Sequence, residues 1–384
     1  IIISGNTRTL DKVIRRTMRV AEGDPLNRNL IDRSETLIRN LGHFSKTKVE
    51  LSDNFEMQNT VDINVDVKEQ STGSLVLGGG YSSTTGATAN IGVSENNLLG
   101  KSQRINLSLS TGERENRADF SFTEPFFLDR NVALTSNIFT TVTEFLESNY
   151  DNERDGGGFT ISYNVGEFGA QSLGYKLEKR NIVAYSDAAS SIKSIAGESI
   201  ASVISFGNAI DKTDSKYDPK DGWLISNRIS LAGLGGDKKY FRTTSKIASY
   251  EEIFNEKIIA SLSGQIGYVL GLNQDIDISD RFFLGGTSFV GFQNAGIGPR
   301  DKTTDDSLGG NIYYTVTPQI QFGVGLPDEL GIRARIFSTT GSLTSIDTNT
   351  SNYYDNESLR MTAGAGLLWQ SPFGPIRIDY TIPI

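Results

Sequence analysis

From Gln70 onward, apolar and polar positions alternate along the chain with the period of a β-strand. The runs RINLSLS at 104–110, LRMTAGAGLLW at 359–369 and IRIDYTI at 376–382 are representative. Clusters of Gly, Asn, Asp and Ser separate about fifteen such runs. The pattern therefore predicts a mainly β protein with about fifteen consecutive strands.

Residues 1–69 follow a different pattern, which predicts two helices and three strands. IIISGN at 1–6 predicts a strand and a turn, and Thr9 is expected to cap a helix that runs to about Val20. A second helix is predicted from about Asn27 to Leu41, with Gly42 at its end. Strands are predicted at about 47–52 and 60–69. The order β-α-α-β-β predicts a small α+β module with both helices on one face of its sheet.

Two architectures would give the long β region its alternation. In a soluble sandwich the apolar face is the core, whereas in a membrane barrel it faces lipid and the polar residues face the lumen. Fifteen strands exceed a single sandwich. Aromatic residues such as Phe126, Phe127, Trp223 and Trp369 lie near predicted strand ends, as interfacial girdles require. Long and short connections also occur together, so the pattern favours the barrel.

Composition narrows the class of protein further. The chain has 384 residues, a net charge of −9, no Cys and one His. It can form no disulfide or thiolate metal site, and its acidity argues against a nucleic-acid partner. No window approaches the roughly 18 consecutive apolar residues that a membrane-spanning helix needs. The start at Ile1-Ile2-Ile3 reads as a strand entered midway, so we expect the chain to be a fragment of a longer protein.

One connection, residues 280–310, is too long and too apolar to be an ordinary linker. It carries eight glycines and prolines among several large apolar side chains: Phe282, Phe283, Leu284, Phe289, Val290, Phe292 and Ile297. Connections of this length are usually functional or disordered, and disorder favours polar residues. We therefore expect this loop to fold back against another part of the protein.

Catalytic constellations are not evident in the sequence. His43 is the only His, and a structural or surface role for it is favoured over catalysis. Ser288 lacks a nucleophile-elbow frame, and GGGYSS at 78–83 lacks the Lys-Ser/Thr and the helix of a phosphate loop. Arg300 and Asp301 either form a local pair or are solvated. The sequence predicts a protein that is not an enzyme, with no cofactor and no metal site.

Several motifs resemble the BamA family, the central subunits of the bacterial outer-membrane β-barrel assembly machinery. SGNTRT at 4–9, VIRR at 13–16, EGD at 22–24 and LGHF at 41–44 resemble the family's last POTRA domain. GGGYSS at 78–83, ENNLLGKSQ at 95–103 and FSFTEPFFLDR at 120–130 resemble its first barrel strands. DPKDGW at 218–223, GGTSFVGFQNAGIGPRD at 285–301 and WQSPFGPIRIDY at 369–380 resemble later motifs. The match covers essentially the whole chain.

The resemblance implies a sixteen-stranded outer-membrane barrel at 70–384 and a periplasmic POTRA domain at 1–69, the last of a longer series. It implies that the protein folds and inserts other barrel proteins through a lateral gate between the first and last strands. The implied partners are unfolded barrel proteins, assembly lipoproteins on the POTRA side and membrane lipids. The first strand of the gate carries Gly78, Gly79, Gly80 and Tyr81, whose glycines would weaken pairing.

Two features depart from the family pattern. The chain stops at Ile384, where the family continues into a sixteenth strand. In addition, the family has an Arg before the Gly-Phe of its long loop, and that position is Val290 here. The wall positions that would face this Arg are aligned with Gln319 and Thr339. We expect the loop to dock in the lumen by packing, through these residues: Gly285, Gly286, Phe289, Val290, Gly291, Phe292, Gly298, Pro299, Arg300 and Asp301.

Alternative functions remain at this point. A protein-translocating pore, of the two-partner secretion type or an autotransporter-assembly paralogue, would share the fold. A passive porin would not need the POTRA module, and a hydrolase would need a catalytic constellation.

Overall fold

The structure is a computed structural model that describes residues 1–53, 59–82, 85–216, 218–254, 258–347, 352–355, 357–371 and 374–384. Ser83, Pro372 and Phe373 of the quoted motifs lie outside these residues. The described part is mainly β, as predicted. It contains two compact units: one of Ile1–Gly79, Ala89–Ser110 and Ala118–Asn137, the other of Gly80–Thr88, Thr111–Arg117 and Ile138–Ile384.

The first residues form the predicted β-α-α-β-β module: β1 (Ile2–Ser4), α1 (Asp11–Thr17), α2 (Arg28–Asn40), β2 (Phe44–Asp53) and β3 (Val61–Glu69). The sheet order is β1-β3-β2, with β1 parallel and β2 antiparallel to β3. Its core joins apolar residues of both helices, and of the segment that follows α1, to the sheet: Ile14, Met18, Val20, Ile31, Ile38, Phe44, Val65 and Val67. The hydrophobic periodicity of the two helices therefore places their apolar faces on one sheet.

The start of α1 differs from the prediction. The residue before the helix is Leu10, which provides no side-chain cap, and α1 ends at Thr17 and not near Val20. Thr9 is buried, and its hydroxyl accepts a hydrogen bond from Asn97 Nδ2 at 2.8 Å. The Thr9 side chain, which the local pattern assigned to the helix cap, is therefore bonded to a residue that is distant in the sequence. In α2, Asn27 does cap the helix, because its side chain accepts from Leu30 N.

The remaining strands form one large sheet and a small two-stranded one. The large sheet contains β4 (Gly73–Ser82), β5 (Gly86–Leu98), β6 (Gln103–Gly112), β7 (Glu115–Glu124), β8 (Ala133–Phe145), β9 (Tyr150–Val165), β10 (Gly169–Ala184), β11 (Gly197–Asp211), β12 (Gly222–Gly236), β13 (Tyr240–Ile253), β14 (Ile258–Gly271), β16 (Ile312–Gly323), β17 (Ile332–Thr344), β19 (Arg360–Ser371) and β20 (Gly374–Pro383). The two-stranded sheet pairs β15 (Arg300–Asp301) with β18 (Tyr353–Tyr354). A short helix, α3 (Ser190–Lys193), lies between β10 and β11.

Strands of the large sheet are neighbours in chain order, and the order runs from β4 at one end to β20 at the other. From β9 to β20 each successive pair is antiparallel. The described residues thus hold a fifteen-stranded antiparallel sheet, where the family resemblance implied sixteen strands. No described helix is long and apolar enough to cross a membrane.

The two faces of this sheet have opposite character. Ile336 in β17 is 57% exposed, whereas its neighbours Arg335 and Phe337 are 7% and 4% exposed. Ile320 lies directly across from Ile336, and Leu367 lies across from Ile378, so exposed apolar residues continue from strand to strand. An exposed band of Ile and Leu this wide matches a surface that faces lipid. The opposite face carries the polar and buried residues of the fold.

Candidate functional site

The connection between β14 and β16 contains the predicted loop, residues 280–310, and it has a defined fold. The backbones of Phe282 and Gly310 exchange two hydrogen bonds of 2.9 Å, which close the loop at its base. Further along, Ile297 N donates to Leu284 O at 3.2 Å. These bonds satisfy buried backbone groups that an extended loop would leave to water.

Apolar residues of the loop form a core with the polar face of the strands. Phe289 is completely buried, and it stacks edge-to-face on Phe292 with ring centroids 5.5 Å apart. The cluster also includes loop and wall residues: Phe282, Leu284, Ile297, Ala201, Val203, Ala232, Tyr240, Val269, Ile276, Tyr313 and Leu343. Ile200 and Leu231, the chain neighbours of two wall members, are exposed on the other face. The loop therefore packs on the face opposite to the apolar band.

The tip of the loop approaches the last two strands. Gly291 has φ +109°, and a Cβ there would lie 2.6 Å from Thr362 Cγ2 of β19 and 3.2 Å from Thr381 Oγ1 of β20. Gly298 has φ +115°, and its Cβ would lie 2.6 Å from Leu343 Cδ2 of β17. Only glycine fits both the positive φ and the close approach. Val290 beside them is partly exposed.

A buried charge network holds the start of the loop. Arg180 on β10 donates from Nη1 to Asp280 Oδ2 at 2.7 Å and from Nε to Glu178 Oε1 at 2.7 Å. Lys176 Nζ lies 2.8 Å from Glu178 Oε2. The side chains of Glu178, Arg180 and Asp280 are at most 4% exposed. Removing one member of such a network leaves an uncompensated buried charge.

Sequence reasoning missed this network. The available signal was the spacing of Lys176, Glu178 and Arg180, which places three charged residues on one face of a predicted strand. Asp280 could not have been assigned to them, because it lies 100 positions from Arg180 in the chain.

The returning arm of the loop contacts the connection between β8 and β9. Ser148 Oγ donates to Ser307 O at 2.7 Å, and Ser307 N donates to Glu147 O at 2.8 Å. Asp306 accepts from Asn149 Nδ2 and from Ala189 N, both at 2.6 Å. The loop is thus fixed at both arms as well as along its apolar face.

The wall positions aligned with acidic residues of the family have other partners. Arg335 on β17 forms a two-pronged pair with Asp379, at 2.8 Å from Nε and 2.6 Å from Nη2, and its Nη1 donates to Gln319 Oε1 at 2.7 Å. Thr339 exchanges a hydroxyl contact of 3.0 Å with Thr317 and lies across from Thr362, the neighbour of Gly291. The arginine that neutralises this wall therefore comes from a strand and not from the loop.

Arg300 and Asp301 bond to other residues of the loop and not to each other. Arg300 Nη1 donates to the Asp305 backbone O at 2.7 Å and lies 3.4 Å from its carboxylate. Asp301 is buried and accepts from the backbone of Thr303 at 2.8 Å and of Thr304 at 3.1 Å. Pro299 O accepts from Leu308 N, and Gly286 N donates to Phe292 O, so Gly285-Gly286 and Pro299 shape turns inside the loop.

The first strand of the large sheet is exposed along nearly its whole length. Gly78, Gly79, Gly80 and Tyr81 lie in β4, where every residue from Gly73 to Tyr81 is exposed. Leu75, Val76 and Leu77 are 60–70% exposed, so side chains on both faces of β4 are largely open to the surroundings. A strand with few side-chain contacts has little beyond backbone hydrogen bonds to hold its register.

The module and the turn between β5 and β6 meet within the first compact unit. Leu10 N donates to Gly100 O at 2.9 Å, and Arg16 Nη2 donates to Lys101 O at 2.9 Å. His43 is buried, with Nε2 2.8 Å from Ser102 Oγ, and burial lowers its pKa. Its role is therefore structural, as the sequence favoured. No described group of three His, Asp or Glu side chains could hold a metal ion.

Comparison with known proteins defines the class. Residues 97–384 match the Omp85 superfamily domain, and residues 1–70 match the POTRA repeat described as the surface antigen variable number repeat. The chain belongs to the Omp85 superfamily. Its fold is accordingly an antiparallel β-barrel preceded by a POTRA domain.

Individual relatives narrow the comparison to one branch. The outer membrane protein assembly factor BamA of Neorickettsia risticii is 36% identical over 380 residues, which are 98% of this chain and 51% of that protein. The chain thus spans about half of that relative's length. The crystal structure of BamA from Haemophilus ducreyi lacking POTRA domains 1–3 superposes with a TM-score of 0.86 at 23% identity, covering 100% of this chain and 80% of that one.

A more distant structure has the same general fold. CdiB from Acinetobacter baumannii superposes with a TM-score of 0.58 at 11% identity, covering 100% of this chain and 73% of that one. The named relatives support an outer-membrane location for this chain. The BamA relatives are named as assembly factors and not as enzymes.

Proposed function

We propose that this chain is the membrane part of an assembly factor that folds and inserts other β-barrel proteins into the outer membrane. The observation that carries the proposal is the first strand: β4 contains three successive glycines, Gly78, Gly79 and Gly80, and exposes nearly every residue. Its similarity to BamA supports the same function. Because strand pairing needs no chemical step, the proposed activity requires neither a catalytic residue nor a cofactor.

The proposed mechanism is lateral opening followed by strand templating. An opened edge presents unpaired N–H and C=O groups to an incoming strand, which pairs with them by β-augmentation. Gly78, Gly79 and Gly80 lower the cost of opening because glycines contribute no side-chain packing. Tyr81, 79% exposed, follows them at the strand end.

In this proposal the loop 280–310 keeps the wall in shape during opening. Its tip at Gly291 contacts β19 and β20, while its base is fixed to β10 by Arg180 and Asp280. The loop thereby connects the last strands to the middle of the sheet. Packing of Phe289 and Phe292 replaces a loop arginine in this role.

Domain roles follow from the same proposal. Residues 1–69 form a periplasmic POTRA domain, the last of a longer series, and residues 70–384 form the barrel. The proposed partners are unfolded outer-membrane barrel proteins, assembly lipoproteins on the POTRA side and membrane lipids. Nucleic acid is not a proposed partner, since the net charge is −9.

Depletion of the full-length protein in its host tests the function. Other outer-membrane barrels are expected to accumulate unfolded, and re-expression is expected to restore them. Normal assembly of those barrels after depletion would contradict the proposal. Loss of one secreted protein alone, with barrels intact, would instead favour the alternative, a protein-translocating pore, whose support is the weaker similarity to CdiB.

A further inference from the structure

A cavity of about 440 Å³ lies within the first compact unit, between α1 and the strand ends of β6, β7 and β8. Lys12 and Arg16 of α1 form one side, and Lys101 lies in the turn after β5. Phe126, Phe127 and Leu128, in the connection between β7 and β8, line another side. None of these residues belongs to the loop or to the edge of β4.

The floor of the cavity continues the exposed apolar face of the barrel strands. Phe122 and Glu124 follow Phe120 at alternate positions of β7, so all three side chains point to the same face, and Phe120 is 39% exposed. In β8, Leu134 shares its face with Ile138, which is 64% exposed. A lipid lying against this face could therefore extend its headgroup into the cavity.

The charges around the cavity include cations with unused donors. Arg16 stacks on Phe126 with its guanidinium carbon 4.0 Å from the ring centroid, and its Nε is buried without a hydrogen-bond partner among the described residues. Lys12 and Lys101 are exposed, and both line the cavity. Three cationic side chains with free N–H groups suit a phosphate.

Two carboxylates, Glu124 and Asp129, also line the cavity. Glu124 accepts from Gln103 Nε2 at 2.6 Å and from Phe126 N at 3.1 Å, which fixes its position. Asp129 is exposed, and together with Glu124 it acts electrostatically on Arg16. Cations and carboxylates that line the same cavity match a headgroup that carries a phosphate and an ammonium.

A second feature places the cavity at the membrane boundary. Leu99 and Leu128, at the tips of the two turns on the module's side, are 74% and 75% exposed, and both have positive φ. Leucines held outward in this way, beside Lys101 and Lys12, follow the pattern of an apolar anchor with cations at the headgroup level.

We propose that this cavity binds the headgroup of a zwitterionic aminophospholipid from the adjoining leaflet. Its phosphate lies among Lys12, Arg16 and Lys101, its ammonium faces Glu124 and Asp129, and its acyl chains follow Phe122 and Leu134. One bound lipid would then connect the POTRA domain to the start of the barrel. The proposal depends on the membrane location and not on the assembly activity.

Native mass spectrometry of the full chain, released from detergent and titrated with phosphatidylethanolamine or phosphatidylglycerol, tests the proposal. We expect one retained phosphatidylethanolamine per chain, with weaker retention of phosphatidylglycerol. Lys12→Gln/Lys101→Gln should reduce retention about tenfold, through loss of two charge-assisted contacts. Lys12→Arg/Lys101→Arg should preserve it.

Two further variants separate the specific site from general charge. Arg28→Gln/Arg33→Gln removes the same net charge from exposed positions of α2 outside the cavity and should leave retention unchanged. Asp129→Asn should lower retention of phosphatidylethanolamine without lowering that of phosphatidylglycerol. Equal retention by the Lys12→Gln/Lys101→Gln variant and the parent chain, or equal retention of the two lipids by the parent chain, would overturn the proposal.

Discussion

Gly291 shows at the scale of one residue how the loop tip is seated. Its positive φ and the 2.6 Å approach of a Cβ to Thr362 Cγ2 leave no space for a side chain. Thr362 itself is completely buried, so it cannot move into solvent to make room. The loop tip and the wall therefore pack so closely that one added methyl group has no space between them.

Gly291→Ala is expected to destabilise the seated loop by about 1–3 kcal/mol, since it combines backbone strain with overpacking. Two quantities measure the effect. One is the rate at which an added protease cleaves within 280–310, and the other is the temperature at which half of the folded band is lost on gels of samples that were heated but not boiled. Gly323→Ala is the matched control, because no heavy atom lies within 4 Å of its Cβ position. Equal cleavage of the two variants would contradict the seating of the tip.

In the wall opposite the loop tip, the cation lies at a different position from the one that the family resemblance implies. Val290 stands where the family has a loop arginine, and Arg335 on β17 supplies the cation that pairs with Asp379. A buried carboxylate needs a cation, but that cation can come from either side of an interface. Gln319, one of the aligned wall positions, accepts a hydrogen bond from the same Arg335.

At the scale of elements, an ion pair and a backbone pair fix the base of the loop. Asp280 lies two residues before Phe282, which pairs with Gly310, so the ion pair with Arg180 locates the point where the loop folds back. Arg242 adds a stacked contact, with its guanidinium carbon 4.3 Å from the Phe282 ring centroid. The loop and strands β10 and β13 thus form one polar and aromatic joint.

Arg180→Met should destabilise the loop base by about 3–5 kcal/mol, because Asp280 would remain buried without a cation and Glu178 would keep only Lys176. Hydrogen exchange of amides in 278–284 measures the effect. Lys179→Met, a neighbouring cation on the exposed face of β10, is the control and should change little. Adding Glu178→Gln and Asp280→Asn to Arg180→Met should recover part of the loss, and no recovery would argue against the charge network.

His43 links the POTRA domain to the turn after β5 and should make that contact sensitive to pH. Burial lowers its folded-state pKa below the ordinary value of 6.5, and its Nδ1 has no partner among the described residues. The neutral form is thus favoured on folding. Its contribution to stability is complete above pH 6.5 and is lost as pH falls from 6.5 through the lowered folded-state pKa.

The expected result is a lower free energy of unfolding of residues 1–69 at about pH 5 than at about pH 8, measured by urea-dependent hydrogen exchange corrected for intrinsic rates. His43→Gln should flatten the dependence between pH 7 and the lowered pKa while it retains a donor toward Ser102. Because His43 is the only His, no other imidazole can explain the difference. An unchanged pH dependence in the variant would contradict this assignment.

At the scale of the whole molecule, the large sheet is an up-and-down succession of strands that are neighbours in chain order. A lipid-facing band and a buried loop face stabilise the middle strands. β4 has no such buried face, because its side chains are exposed along both faces. The proposed activity is therefore assigned to the part of the sheet with the least packing.

Locking the seam tests this assignment. A cysteine at Gly79 and a second one in the strand that closes the barrel should, when oxidised, abolish assembly of other barrels, and reduction should restore it. The chain has no native cysteine, so the pair is the only possible disulfide. Each single-cysteine variant is a control. Full assembly by the oxidised protein would exclude lateral opening.

The sequence by itself determined the class of fold. Alternation such as RINLSLS at 104–110 predicted the strands. Successive side chains of a strand point to opposite faces, so a period of two places the apolar residues together on one face. The helical periodicity of residues 28–40 likewise predicted α2 within a residue or two. Seven large apolar residues in 280–310 required the loop to be covered, since apolar surface is not left in water without a cost.

Only the tertiary structure decided which side chains form the long-range contacts. Asp280 pairs with Arg180, Asp379 with Arg335, and Thr9 leaves its expected helix cap for Asn97, across separations of 100, 44 and 88 positions. Sequence patterns report local conformation and the need for burial. The choice among many equivalent carboxylates depends on strand register, which the complete set of strand pairings sets at once.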